Sequence, residues 1–343
     1  MVDGDAHALV RSVLTHCRVD PPGDFEWFGR RTRVAETASG ETRGIFLRAL
    51  SLHLYFHVFC PGTPVARLPP PSTPGAGEIR ALLTGHSLAC PDRDRWDAGW
   101  IFVGPSADAY RVRRDGLDFL ASADAVRPRQ GETLHAGGDV EVLVPADRWS
   151  LSPGFMLIHG QRLLQPRSAG NRRTRLYLHM DMEGAREVIA LCERFNQHQV
   201  PFTLKVAAHP DAFERCDTVI LFVERQDYRR ASAILVEAAH RSGHRPRPPN
   251  PAFASVLAPG VSVADDPPGE ESFGASRVRL LAMGILRAWE AGRTSLDARL
   301  HEVGKAFREE GRSLERPHLE PGSTEYETEP WARWPHPSGS ASG

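Results

Sequence analysis

The amino-acid sequence predicts an α+β fold, a mixed or antiparallel sheet with flanking helices, preceded by a smaller N-terminal α+β region. From about residue 172 onward, short apolar runs of period two alternate with longer runs of helical period. Before that point, three further strand-like runs are separated by Gly and Asp turn signals rather than by helices. The chain has 343 residues, 41% of them hydrophobic, enough to bury one large core or two smaller ones.

In chain order, "HALVRSVLTHC" and "TRGIFLRALSLHLYFHVF" place apolar residues at helical spacing, the second run stopping at Pro61. A stretch dense in proline and glycine follows, residues 61–77, and reads as a loop. "GWIFVG" (99–104), "AYRVRR" (109–114) and "DVEVLVP" (139–145) predict a small antiparallel unit. The second region then reads strand (174–180), helix (183–199), strand (201–207), strand (217–223), helix (226–242), with its helices on one side of the sheet as the simplest packing. "RPRPPNPAF" and "LAPGVSVADDPPGEESFG" read as apolar-bearing loops laid across that sheet, and "ASRVRLLAMGILRAWEAG" as a helix. The expected division is 1–150 for an N-terminal region that binds a peptide or partner, 151–311 for the sheet-bearing domain, and 312–343 for a tail whose Pro, Gly, Ser and Glu content predicts disorder.

Charge narrows the function. Forty-two basic residues nearly balance 43 acidic ones, so no global field draws in nucleic acid or an anionic membrane, and neither partner is expected. Five dispersed cysteines without a C-x-x-C pair argue against a disulfide framework or a zinc site. The acidic start MVDGDAHALV does not resemble a signal peptide, and no apolar run approaches the roughly 18 residues of a membrane span. The expectation is a reduced, cytoplasmic protein.

Of the basic residues only Lys205 and Lys305 are lysine. Burial or nearby cations can strip the proton from an ammonium but not from a guanidinium, so Lys205 has access to base chemistry that an arginine lacks. Side chains two apart on a strand share a face, which groups Arg175, Tyr177 and His179 on one strand and Thr203 with Lys205 on another. If those strands are neighbours, and with Arg215 and Arg277 nearby, one sheet surface gathers a pocket for an anion. Other groups carry plainer readings. His53 and His57 have i, i+4 spacing but no third metal ligand; Asp265 and Asp266 read as a turn or cap; Arg172 and Arg173 either assist an anion or merely precede a strand. Neither a glycine-rich phosphate loop nor a kinase catalytic loop is present.

The runs "RLYLHM", "VPFTLKV", "AFERCDTVILFV" and "LAPGVSVADDP…ESFGASR", preceded by "GWIFVG" and "WSLSPGF", resemble the HopA-type effector family, from about residue 40 to 310. That family includes the stand-alone lyases of class V lanthipeptide and thioamitide biosynthesis. The resemblance implies a fold related to the bacterial effector phosphothreonine lyases. It also implies a carbon-oxygen lyase activity, β-elimination of phosphate from phosphoserine or phosphothreonine in a ribosomal precursor peptide, giving dehydroalanine or dehydrobutyrine. By position Lys205 matches the base that removes the α-proton, and Arg215 and Arg277 match phosphate-binding arginines, to which Arg175 is added from its strand face. The general acid falls on Tyr177 or His179. Phe222 stands where the effectors have a phosphate-contacting tyrosine. No cofactor is expected; the expected partners are the phosphorylated precursor peptide and a separate kinase-like protein. The alternative is a non-catalytic phosphopeptide- or partner-binding relative.

Overall fold

The computed structural model describes residues 6–20, 24–34, 42–68, 95–106, 109–114, 117–129, 133–144, 147–148, 155–165, 171–208, 210–269 and 271–334. The chain opens with helix α1 (Ala6–His16), a three-stranded antiparallel sheet β1 (Cys17–Asp20), β2 (Asp24–Trp27) and β3 (Arg30–Thr32), and helix α2 (Thr42–Leu54). Helix α2 runs on into one wider π-helical turn, Tyr55–Phe59, closed by the Cys60 amide on the Tyr55 carbonyl at 3.0 Å. A second sheet holds β4 (Arg95–Ser106), β5 (Ala109–Arg114), β6 (Leu117–Ser122), β7 (Val126–Pro128) and β8 (Asp139–Val144) around its own small core of Phe102, Val112, Val126, Val140 and Val142.

The main sheet has seven strands. They are β9 (Asp147–Arg148), β10 (Phe155–His159), β11 (Arg173–Leu178), β12 (Phe202–Ala207), β13 (Val219–Glu224), β14 (Ser255–Ala258) and β15 (Val261–Asp265). Their spatial order is β14-β15-β11-β13-β12-β10-β9, and every pairing among the described residues is antiparallel. Between strands lie α3 (Met182–Ala190), α4 (Cys192–Gln197) and α5 (Tyr228–Arg241); after them come α6 (Phe273–Glu290) and α7 (Leu296–Glu309). The single helix expected over 183–199 is therefore two, with Leu191 at the break.

Helices cover both faces, not one. Leu176, Leu178, Leu204, Val206 and Leu221 point into a core completed by Val188, Ile189, Phe195 and Ile234 of α3, α4 and α5. Tyr177, Ile220 and Ala264, on the opposite face, join a core built with Leu50 and Leu54 of α2 and with Val278, Leu281 and Ile285 of α6. Helices α6 and α7 press together at Gly284, where a Cβ would stand 2.4 Å from the Val303 Cα. The described residues before 61 thus pack with the main sheet while the second sheet encloses its own core, so the expected unit 1–150 holds two differently packed pieces.

Two further expectations are corrected. The stretch around 255–265, expected as a loop laid across the sheet, is a hairpin of the main sheet, β14 and β15, turned at Gly260 with φ +72° and pressed against the Arg247 backbone. The tail expected to be disordered is ordered through Trp334: Leu319, Tyr326, Trp331 and Trp334 are buried in the main core. Residues 335–343 lie outside the described residues.

Candidate functional site

Register decides which side chains meet. Lys205 on β12 faces Ile220 on β13, and Ile220 faces Tyr177 on β11. β13 therefore separates the strands that the sequence reading set side by side, leaving Lys205 and Tyr177 in one row about 9.5 Å apart in backbone spacing. One row over, Arg175, Phe222 and Thr203 line up in the same way.

The Lys205 amine lies over the Phe155 ring, 4.1 Å from its centroid, and the Arg215 guanidinium lies 5.4 Å from the same centroid. One aromatic ring thus carries both cations. Burial is the largest influence on Lys205 and takes its pKa from 10.5 to about 8; Asp217 opposes that shift, while Arg175 and Arg215 add to it. The crowding by guanidiniums expected from sequence is therefore a secondary cause, behind desolvation.

Arg215 sits in the turn before β13, and its Nε and Nη2 donate to the two oxygens of Asp217, both at 2.7 Å. Its Nη2 also donates to the Tyr55 hydroxyl at 3.1 Å, and the guanidinium lies 5.5 Å from the Tyr55 ring and 5.9 Å from Phe56. Burial weakens the charge, but Asp217 more than offsets it and raises the pKa. Nη1 makes no hydrogen bond among the described residues.

The remaining sequence candidates are held elsewhere. Arg277 is wholly buried: its Nε donates to Pro317 O at 2.6 Å, Nη1 to Ser276 Oγ at 3.2 Å, and Nη2 to Leu319 O at 3.2 Å and Glu320 Oε1 at 2.9 Å. It anchors the tail and is not free to bind phosphate. Arg175 is buried and ion-paired with Asp266, so Asp266 serves a strand arginine, not a turn. Asp265, its neighbour, accepts from Arg225, Tyr326 and the Glu320 amide. Arg172 donates to Pro321 O at 2.8 Å and Arg173 to Gln165 O, roles in holding the chain rather than an anion.

Neither expected acid is well placed to donate. Tyr177 is 1% exposed; burial pushes its pKa up to about 12, and Arg175 lies close enough to favour the ionised form without a hydrogen bond of good geometry. His179 lies beyond the end of β11, buried, with Nδ1 3.1 Å from the Pro249 carbonyl. Since a carbonyl only accepts, the proton sits on Nδ1, and Nε2 is buried without a hydrogen-bond partner among the described residues. Burial also lowers the His179 pKa, which keeps the ring neutral. His53 and His57 stack at 3.9 Å against Phe25 and Trp27, and burial with the neighbouring His57 pushes His53 down to about 4.

Sequence reasoning missed Asp217 and Tyr55. The first had a signal, an acid two residues after Arg215 at a strand entry; the second comes from a helix 160 residues upstream and had none. Three cavities, one of about 210 Å³ between α3 and α5, one of about 420 Å³ beside Arg172 and Arg312, and one of about 420 Å³ between His7, Phe253 and His318, do not include Lys205 in their walls. The "WSLSPG" stretch entering β10 lies outside the described residues, as does His209 beyond β12.

An antiparallel sheet sandwiched by helices, with a lysine and an arginine sharing one ring, defines an α+β protein with a compact cationic site. The chain matches the HopA1 effector protein family over residues 146–319, about half its length, and belongs to that family. Two solved structures are similar to it. One is the effector protein from Pseudomonas syringae pv. tomato strain DC3000, at 17% identity over 49% of this chain and 63% of that one, with a TM-score of 0.36. The other is the effector protein from Pseudomonas syringae pv. syringae strain 61, at 17% identity over 81% of this chain and 89% of that one, with a TM-score of 0.44. Curated proteins give no match.

Proposed function

We propose that the protein is a phosphoserine/phosphothreonine lyase acting on a phosphorylated ribosomal precursor peptide after a separate kinase-like protein has phosphorylated it. The observation that carries this reading is the Lys205 amine, lowered to about 8 and resting on the ring that also carries Arg215. Elimination needs a base at the α-carbon and cations on the departing phosphate. The Lys205 Nζ lone pair takes the α-proton, the C–H electrons form the Cα=Cβ bond, and the Cβ–O bond breaks with its electrons leaving on phosphate. Arg215 Nη1 receives that growing negative charge.

Incubation with a synthetic phosphothreonine peptide, followed by mass spectrometry, tests the reading. Loss of the elements of phosphoric acid with formation of dehydrobutyrine is expected; an unchanged peptide mass contradicts it. Only the neutral amine is a base, so the rate at subsaturating peptide should climb with pH and level off above about 8. A profile flat from pH 6 to 9 would contradict Lys205 as the base.

A second reading, a phosphopeptide binder without elimination, draws on the burial of both Tyr177 and His179 and on the Asp217 carboxylate that already occupies Arg215. It predicts tight phosphopeptide capture with the mass intact.

A further inference from the structure

We infer that Tyr55, delivered by the N-terminal helix from outside the matched family segment, contacts the substrate phosphate and completes the Arg215 subsite. The inference rests on the phosphate-site reading given above. Its starting point is a hydrogen bond in which the Tyr55 hydroxyl accepts from Arg215 Nη2 at 3.1 Å. The hydroxyl's own proton lies within reach of the Cys60 sulfur, a weak acceptor from which a phosphate oxygen, far the stronger one, would take it over. Burial, then Asp217, raise the Tyr55 pKa well above 10, so that proton is present throughout the physiological range. A phosphate on Nη1 of the same guanidinium brings its oxygens alongside that hydroxyl.

The placement is built rather than incidental. Tyr55 opens the π-helical turn, and π turns inside helices recur at functional sites. Its ring stacks on Phe59 at 5.3 Å. The turn is tied to the Arg215 segment by Cys216, whose amide and Sγ both donate to the Cys60 carbonyl, at 2.8 and 2.7 Å. The helix end and the arginine turn therefore hold a fixed register. Tyr55 remains half-buried and Phe56 is exposed beside it, whereas Tyr177 and His179 are buried. Of these hydroxyl and imidazole groups, Tyr55 is the one bonded to Arg215.

Tyr55→Phe keeps the ring for Phe59 and Arg215 and removes only the oxygen. In a Lys205→Ala background, where turnover is absent, affinity is measured for a phosphothreonine peptide and for the same peptide unphosphorylated. Adding Tyr55→Phe is expected to reduce the ratio of the two affinities about 10-fold or more, as befits a donor to a charged acceptor. An unchanged ratio in a folded variant overturns the inference. Hydroxyl-radical footprinting of the Lys205→Ala chain, mapped by mass spectrometry, leaves Tyr55 in place: phosphorylated peptide should protect Tyr55 and unphosphorylated peptide should not, and equal reactivity with both also overturns it. Failure of the lyase reading looks different, because the unmutated protein then leaves the peptide mass intact while the dependence of binding on Tyr55 persists.

Discussion

Lys205→Ala is expected to abolish phosphate elimination, lowering the rate by about 10³-fold or more, while phosphopeptide binding survives. General-base catalysis contributes on the order of 10²–10⁴-fold, and removal of the base leaves only the cationic subsite. Lys205→Arg should be nearly as damaging: guanidinium stays protonated and keeps the charge without the basicity. Single-turnover rates beside equilibrium binding check both. A variant that lost binding and turnover together would recast Lys205 as a phosphate ligand. Stability should move the other way. The folded pKa of Lys205 lies below its ordinary value, so the unfolded chain holds the proton more tightly and the charged amine weakens the fold fully below pH about 8. Stability from this group should recover as pH rises from about 8 toward 10.5, and Lys205→Met should raise the melting temperature at pH 7.

Glu320→Ala is expected to be the most destabilising substitution outside the site. Arg277, 0% exposed, has Glu320 Oε1 as its only carboxylate among the described residues, and Arg312 donates to both oxygens of the same group, at 3.2 and 2.8 Å. Removing one partner of a buried pair strands the other, at roughly 3–5 kcal/mol, a fall in melting temperature of roughly 4–7 °C for a chain of this size. Ending the chain at residue 311 removes more. It strips Leu319, Tyr326, Trp331 and Trp334 from the core and leaves Asp265 without Tyr326 and the Glu320 amide, so an insoluble or molten product is expected. A soluble chain 1–311 with an unchanged melting curve would show that the tail is dispensable.

That tail marks where sequence reasoning reached its limit. Its Pro, Gly, Ser and Glu content fits disorder, but its two tryptophans, its tyrosine and Leu319 enter the core, Glu320 pairs with Arg277 and Arg312, and Glu325 pairs with His318. Composition counts residues without knowing which partners a distant surface offers. Strands were readable where period two was clean, as in β11, β12 and β13, because alternation reports two unlike environments. Pairing order was not, since the insertion of β13 between β11 and β12 depends on contacts long in sequence. In the site, Lys205 and Arg215 were legible as chemistry. Arg277 was not, because a buried tail anchor and a phosphate ligand are the same letter, and neither was Tyr55, whose link to Arg215 spans 160 positions.

The two lysines of the chain permit the most direct test. Lysine side chains labelled at Nζ or Cε yield two signals by NMR, and the one lost in Lys205→Arg belongs to Lys205. A midpoint near 8, rising when a phosphonate analogue of the phosphothreonine peptide, whose bridging CH2 cannot leave, brings its negative charge beside the amine, is the result predicted. A midpoint at the ordinary 10.5, indifferent to the peptide, would contradict a base at this position.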